Sequence, residues 1–439
     1  MKNISFKAVL PHLVAVVVFL LSSIIFTKPA LEGKVVKQHD VQQWRAMAQQ
    51  SFEYKDKYGH FPRWTNSMFS GMPAYQIVLD NQKDLGIHVF HFNSIVTLGL
   101  PKPVYFLFLA CLGFYFLAIV LGVNPWLSIA GALAYGYCSY NPTLIVAGHD
   151  TKLMAMAYAP AILASLILIF DKRYYIGSAS LVLMISGMMI QGHHQIVYYT
   201  ILMILCLVVT FIIRCIKAKE YRHMMISGGI SLGIALICAF TVSNSLLPTY
   251  EYGLETMRGG KSMLTQADNT NQTKGGLDKD YAFHWSYGKA ETLTLMVPNA
   301  FGGGSSTSLG DEPQVLQVLQ DNPTIPQDFA NQLLQSSRAY WGPQPPPSEA
   351  VYMGGLICLL FLFGAFLSKS PHKWWIITIT ILSLVLAWGK NLEGLNYFLF
   401  DHLPMYNKFR APSMALIMAQ LSIPLLAIIF LQQFIFNTS

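Results

Sequence analysis

The chain has 439 residues, of which 53% are hydrophobic and only 12% charged, about half the charged share of an ordinary soluble domain. That balance excludes a soluble globular protein. The net charge of +7 accompanies no basic stripe and no nucleic-acid-binding motif, so nucleic acid is excluded as a partner. The first apolar run, 8–27, is longer than the core of a typical signal peptide and no small-x-small cleavage site follows it, so it reads as an uncleaved signal anchor. Further apolar runs lie near 103–123, 126–147, 153–170, 175–191, 195–213, 224–246, 351–367, 374–388 and 413–436. Crossing a hydrocarbon core takes roughly 20 residues per helix. These runs therefore predict an all-α polytopic membrane protein with about ten transmembrane helices.

Lys and Arg in short loops set orientation. With the N-terminus inside, Lys2, Lys7, Lys172, Arg173, Arg214, Lys217, Lys219, Arg222, Lys369 and Lys373 all fall on the inner side. The short outer turns at 148–152 and 192–194 hold only Lys152. The chain then divides into an N-terminal transmembrane module over 1–247, with its first outer loop at 28–102, a long outer loop at 248–350, and C-terminal helices over 351–439. Polar, aromatic-rich segments all lie outside, and the inner loops hold no nucleotide fingerprint; the GGG at 302–304 follows no strand and lacks the lysine of a phosphate loop. Any chemistry is expected on the outer face, without a nucleotide. Apart from His12, the spans carry no ionisable residue, which counts against an ion-coupled transporter. Cys111, Cys138, Cys206, Cys215, Cys238 and Cys358 lie in or beside apolar runs without a CxxC pair, and read as small buried hydrophobes.

In VVKQHDVQQWRAM, apolar residues at Val41, Trp44, Ala48 and Phe52 predict a helix with one apolar face, lying on the membrane surface. Asp40 sits at its start, where it reads as an N-cap; a carboxylate fixed there is also preorganised for chemistry. The turn GHDTK gathers His149, Asp150 and Lys152, more ionisable types than a helix cap needs, although Asp150 suits the start of the next helix. His193 and His194 in QGHHQ share that depth; they are structural, or hold a phosphate or a divalent metal together with His149 or a carboxylate. Glu251, Glu255 and Arg258 follow at helical spacing, as in an exposed ladder. In LDKDYAFHWSYGKAET, aromatics including Trp285 and Tyr287 interleave with Asp278, Asp280 and Glu291, a mixture that suits a sugar or an interfacial belt. Lys408 and Arg410 precede the last span and suit a phosphate or lipid head groups.

HDVQQW, RWTNSMFSGMPAYQI, AGHDTKLMAMAYAP, QGHHQIVYY, TYEYGLETMRGG, LDKDYAFHWSYGKAET and KFRAPSM together resemble the YfhO family of bacterial membrane proteins in its Bacteroidetes-type form, along the whole chain. That family is similar to the C-type glycosyltransferases, multi-span enzymes fed on the outer face by polyprenyl-phosphate sugars. The resemblance implies a C-type-like fold and a place in the bacterial inner membrane. It also implies a lipid-linked sugar donor and an envelope glycan or lipid as acceptor. By motif it puts the essential acid of the first outer loop at Asp40, as general base on the acceptor hydroxyl. Lys152, Arg258 and Arg410 are then candidates to stabilise the departing phosphate. A non-catalytic protein that binds or moves a lipid-linked glycan is the rival expectation. Such proteins usually continue beyond this point, whereas this chain stops at FIFNTS after the tenth span, and so reads as a truncated form.

Overall fold

The computed structural model describes residues 5–78, 94–259, 275–304, 313–321, 324–345 and 351–436; Lys2 and parts of the long segments 28–102 and 248–350 lie outside the described residues. Every apolar run is helical. In chain order the main helices are α1 (Phe6–Phe26), α2 (His39–Tyr58), α3 (Val104–Val120), α4 (Pro125–Gly136), α5 (Tyr140–Ala147), α6 (Asp150–Phe170) and α7 (Tyr174–Met189). There follow α8 (His194–Ala218), α9 (Tyr221–Thr241), α10 (Ser243–Leu254), α11 (Gly355–Leu367), α12 (Lys373–Ala387), α13 (Glu393–His402) and α14 (Leu416–Phe436). Five of these, α1, α6, α8, α9 and α14 with its leading turn, are long and apolar enough to cross a membrane. A sixth span results if α12 and the segment Gly389–His402, bent by 109°, count as one. The remaining runs, α3, α7 and α11, are 17, 16 and 13 residues long.

The run expected at 126–147 is broken. Pro142 cannot donate to the helix and its ring crowds the preceding turn, so the helix stops at Gly136 and restarts at Tyr140. The carbonyls freed by the break are taken up: Asn141 Nδ2 donates to Tyr135 O at 3.2 Å and Gly136 O at 2.9 Å, and Gln420 Nε2 donates to Tyr135 O at 3.2 Å. A buried amide pair thus plugs the gap in apolar surroundings, where unpaired carbonyls would cost several kcal/mol each.

Helices α6 and α14 form the centre: the apolar window of α6 is 100% buried and that of α14 89%, against 17% in α1 and α9. Side chains such as Leu232, Leu236 and Phe240 on α9 point outward, as befits a lipid-facing helix. Gly113 lets α3 lie directly on the Ala157 carbonyl of α6, where any side chain would collide. At one end of the bundle Lys172 pairs with Glu220 at 2.8 Å and Arg214 with Asp171 at 3.3 Å. At the other end lie the GHD and QGHH turns, α2, and the 275–304 and 403–412 segments.

The segment between α1 and α3 carries its own small core. Ala48 of α2 is buried with Ala74 and Val78, and Phe52, Phe61 and Ile77 pack around them. The hairpin β1 (Trp64–Thr65) and β2 (Met72–Pro73) leads into that segment. Trp44 Nε1 also donates to Ile77 O at 2.8 Å. Much of the apolar face expected to rest on the membrane is therefore covered by the loop's own chain.

Candidate functional site

Gly148 builds the site. Its φ of +91° closes α5 and turns the chain into α6 within two residues. Its bare backbone also admits the start of α2, because a Cβ there would press on Val41 and Gln38. This contact brings Asp40 to His149: Oδ2 and Nε2 are 2.9 Å apart, with the side chains 52% and 39% exposed. The expected cap is corrected here. The N-cap is Gln38, which makes no side-chain cap bond, and Asp40 lies inside the first turn. Gln38 instead donates across to Ile145 O at 2.6 Å and approaches Asp150 Oδ1 at 3.5 Å. Asp150, in the first turn of α6, pairs with Lys102 at 2.5 Å.

With its Nε2–H given to Asp40, the His149 ring presents Nδ1 as an acceptor. That atom is buried and, among the described residues, has no hydrogen-bond partner, an unspent group of the kind that water or a ligand satisfies. Burial holds the His149 imidazole below its ordinary value; Lys152 and Arg410 add to this, and Asp40 opposes it. Behind it lies Lys152, only 3% exposed. Its ammonium donates to the Tyr140 hydroxyl at 2.5 Å and lies 4.6 Å from the Tyr140 ring centre. Among the described residues no carboxylate pairs with it. A buried ammonium with neutral partners is costly unless an anion joins it.

His193 is the N-cap of α8, its Nδ1 accepting from Ile196 N at 3.3 Å. Burial, and then Lys152, push it down to about 3, so it is neutral at ordinary pH. Arg258 follows the end of α10 in a short turn, donates to Lys408 O, and receives Lys408 Nζ on its own carbonyl at 2.7 Å. Burial lowers the Arg258 guanidinium, and Arg410 nearby adds to it; the Arg258 charge also acts on His194. Arg410 donates to the Tyr281 hydroxyl at 2.5 Å and lies 5.5 and 5.9 Å from the Tyr281 and Trp285 rings. Gln195, beside the His pair, donates to Arg410 O at 2.7 Å. Asp40, His149, Lys152, His193, His194, Arg258, Arg410 and Trp285 thus belong to one neighbourhood, rich in cations and poor in carboxylates.

Other expected residues fall elsewhere. Tyr287 is fully buried, its hydroxyl held by Thr294 and its N–H by Ala387 O, so it cannot face a ligand. Glu251 is exposed on α10, and the ladder with Glu255 and Arg258 does not form because the helix ends at Leu254. Asp278 is a helix cap, accepting from Tyr281 N at 3.0 Å. Glu291 is buried and holds Tyr340, Gln344 and the Gly288 N–H. Among the described residues the three histidines do not converge into a metal-ligand group. The group that does, Cys215, Glu220 and His223, lies at the opposite end, where His223 is engaged by Phe170 O and by Tyr174. Tyr140, Gln38 and Lys102 were missed by sequence reasoning. Tyr140 lies twelve residues from its partner Lys152, across a helix break, and no spacing rule links them. No protein-family model, curated protein or solved structure matches this chain.

Proposed function

We propose that the chain is an inverting glycosyltransferase, moving a sugar from a polyprenyl-phosphate carrier to a cell-envelope glycan or lipid at the outer face of the bacterial inner membrane. One observation carries this reading: a half-exposed carboxylate, Asp40, is oriented by His149 at the edge of a cation group, Lys152, Arg258 and Arg410, with which no carboxylate pairs among the described residues. In this reading Asp40 Oδ1 takes the acceptor hydroxyl proton while Oδ2 stays on His149. Lys152, Arg258 and Arg410 receive the phosphate, whose charge grows as the sugar leaves. A phosphate would also give the buried Lys152 ammonium its missing counter-ion. The Trp285 face beside Arg410 suits the C–H side of a sugar ring.

The same reading takes all ten apolar runs as spans, with the N-terminus cytoplasmic and the chain related to the YfhO family. The excess of Lys and Arg in the short loops at 171–173, 214–222 and 369–373 supports that orientation. Mass spectrometry of lipids co-purified with the protein tests it, followed by incubation with polyprenyl-phosphate sugars and envelope acceptors. A retained polyprenyl phosphate and release of its sugar to an acceptor are expected. Retention without transfer to any acceptor would make the chain a carrier, and no retained phospholipid of this type would overturn the reading.

A further inference from the structure

A cavity of about 360 Å³ lies among α1, α3, α6 and α7, away from the site described above. Its volume falls within the range of small-molecule pockets, and its walls are almost entirely apolar. The floor is deep because it is built from small residues, Gly113 and Ala161, where α3 rests on α6; α1 and α7 flank it. On α3 the lining runs from Leu109 to Ile119, a stretch of about 15 Å at 1.5 Å per residue. Polar groups interrupt it only at His12, Tyr115 and Tyr158. His12 Nδ1 is 2.8 Å from the Tyr115 hydroxyl, and with that hydroxyl donating, the ring carries its remaining N–H on Nε2. His12 lies one and a half turns above Lys7, which starts α1 at the basic end of the bundle. Arg173, the N-cap of α7, stands at the same end. Lys7 and Arg173 are both exposed and, among the described residues, neither has an ion-pair partner.

We propose that this slot binds one anionic glycerophospholipid from the leaflet at the basic end. Its acyl chain runs past Gly113 and Ala161 toward Leu109 and Val96. Its ester carbonyl accepts from His12, and its head group is drawn to Lys7 and Arg173. Three independent features match three parts of such a lipid in the right order along the bilayer normal: surface cations, a donor at ester depth, and an apolar channel beyond it. Hydrocarbon surrounds the bundle at this depth and fills a dry, apolar slot, because an unfilled one forfeits the contacts of its walls. The proposal does not depend on sugar transfer, since a polyprenyl-phosphate donor would enter from the opposite leaflet.

Native mass spectrometry of the full chain, titrated with dioleoyl phosphatidylglycerol and dioleoyl phosphatidylcholine, provides the test. One phosphatidylglycerol should be retained per chain. Ala161→Phe, which fills the channel, should weaken that binding at least tenfold, while Leu236→Phe on the outward face of α9 should leave it unchanged. Lys7→Gln with Arg173→Gln should abolish the preference for phosphatidylglycerol over phosphatidylcholine without loss of the channel. Unchanged binding in Ala161→Phe overturns the proposal. If that variant does not fold, unchanged selectivity in the double variant overturns it instead. Competition by undecaprenyl phosphate for the same equivalent also overturns it, since the slot would then belong to the donor.

Discussion

Asp40→Asn separates catalysis from structure at this site. The carboxylate and His149 are 2.9 Å apart, but both side chains are substantially exposed, at 52% and 39%. An exposed pair of this kind contributes about 0.2–1 kcal/mol, and asparagine keeps an oxygen to accept the His149 N–H. Thermal unfolding of the variant should therefore shift by no more than about 4 °C. A general base contributes about 10²–10⁴ in rate, or about 3–5 kcal/mol of barrier. The two effects differ severalfold in energy, so they are read apart in one preparation. The assay measures transfer from a polyprenyl-phosphate sugar, with donor retention followed by mass spectrometry and unfolding by intrinsic fluorescence. Loss of transfer with donor retention and unfolding temperature preserved is the expected result. Transfer within about tenfold of the wild type would refute the reasoning, because no base worth that name would have been removed.

Lys152→Met should leave the ligand-free protein as stable as the wild type or more so, since it removes a buried ammonium whose partner is a neutral tyrosine. It should weaken phosphate-lipid binding at least tenfold, as seen by titration with undecaprenyl phosphate. His193 is held near 3 in the folded chain against about 6.5 when unfolded. The unfolded chain therefore takes up the proton first, and the stability this residue contributes is full above about pH 6.5 and lost as pH falls toward 3. His193→Asn keeps an N-capping side chain and should flatten the decline in unfolding temperature between pH 7 and 5. Gly148→Ala must hold a φ of +91° and push against Val41; it should cost about 1–2 kcal/mol and raise hydrogen exchange across α2.

The helices were legible because an apolar run of this length has few alternatives to a helix in a membrane. What escaped were events that hydropathy does not register. The break at 137–139 lies in a run whose apolar character continues through Cys138 and Tyr140, and only Pro142 hints at it. The bend after Ala387 follows Trp388 and Gly389, the latter at φ +47°. Within the site, residue types were readable but partnerships were not. Asp40 and His149 are 109 positions apart, and local pattern could offer Asp40 only a cap. Likewise the aromatic and acidic mixture around 278–291 suggested a sugar platform, yet Tyr287 and Glu291 are interior fastenings. Burial at each position depends on which helices meet, and a single chain read in order does not contain that.

The small core under α2 has a further consequence. Asp40 is delivered by a unit with its own packing, centred on Ala48, Ala74 and Val78, whereas Lys152 comes from the helical bundle and Arg258 and Arg410 from segments beyond residue 250. The acid and these cations are thus held by different parts of the chain, joined where Gly148 meets Val41 and Gln38 and where Tyr75 and Gln76 donate to Pro248 O and the Thr249 hydroxyl. Under the proposed reading, how this unit seats on the bundle sets where the acid stands relative to the phosphate, so a change at the joint should alter transfer while leaving the cations in place.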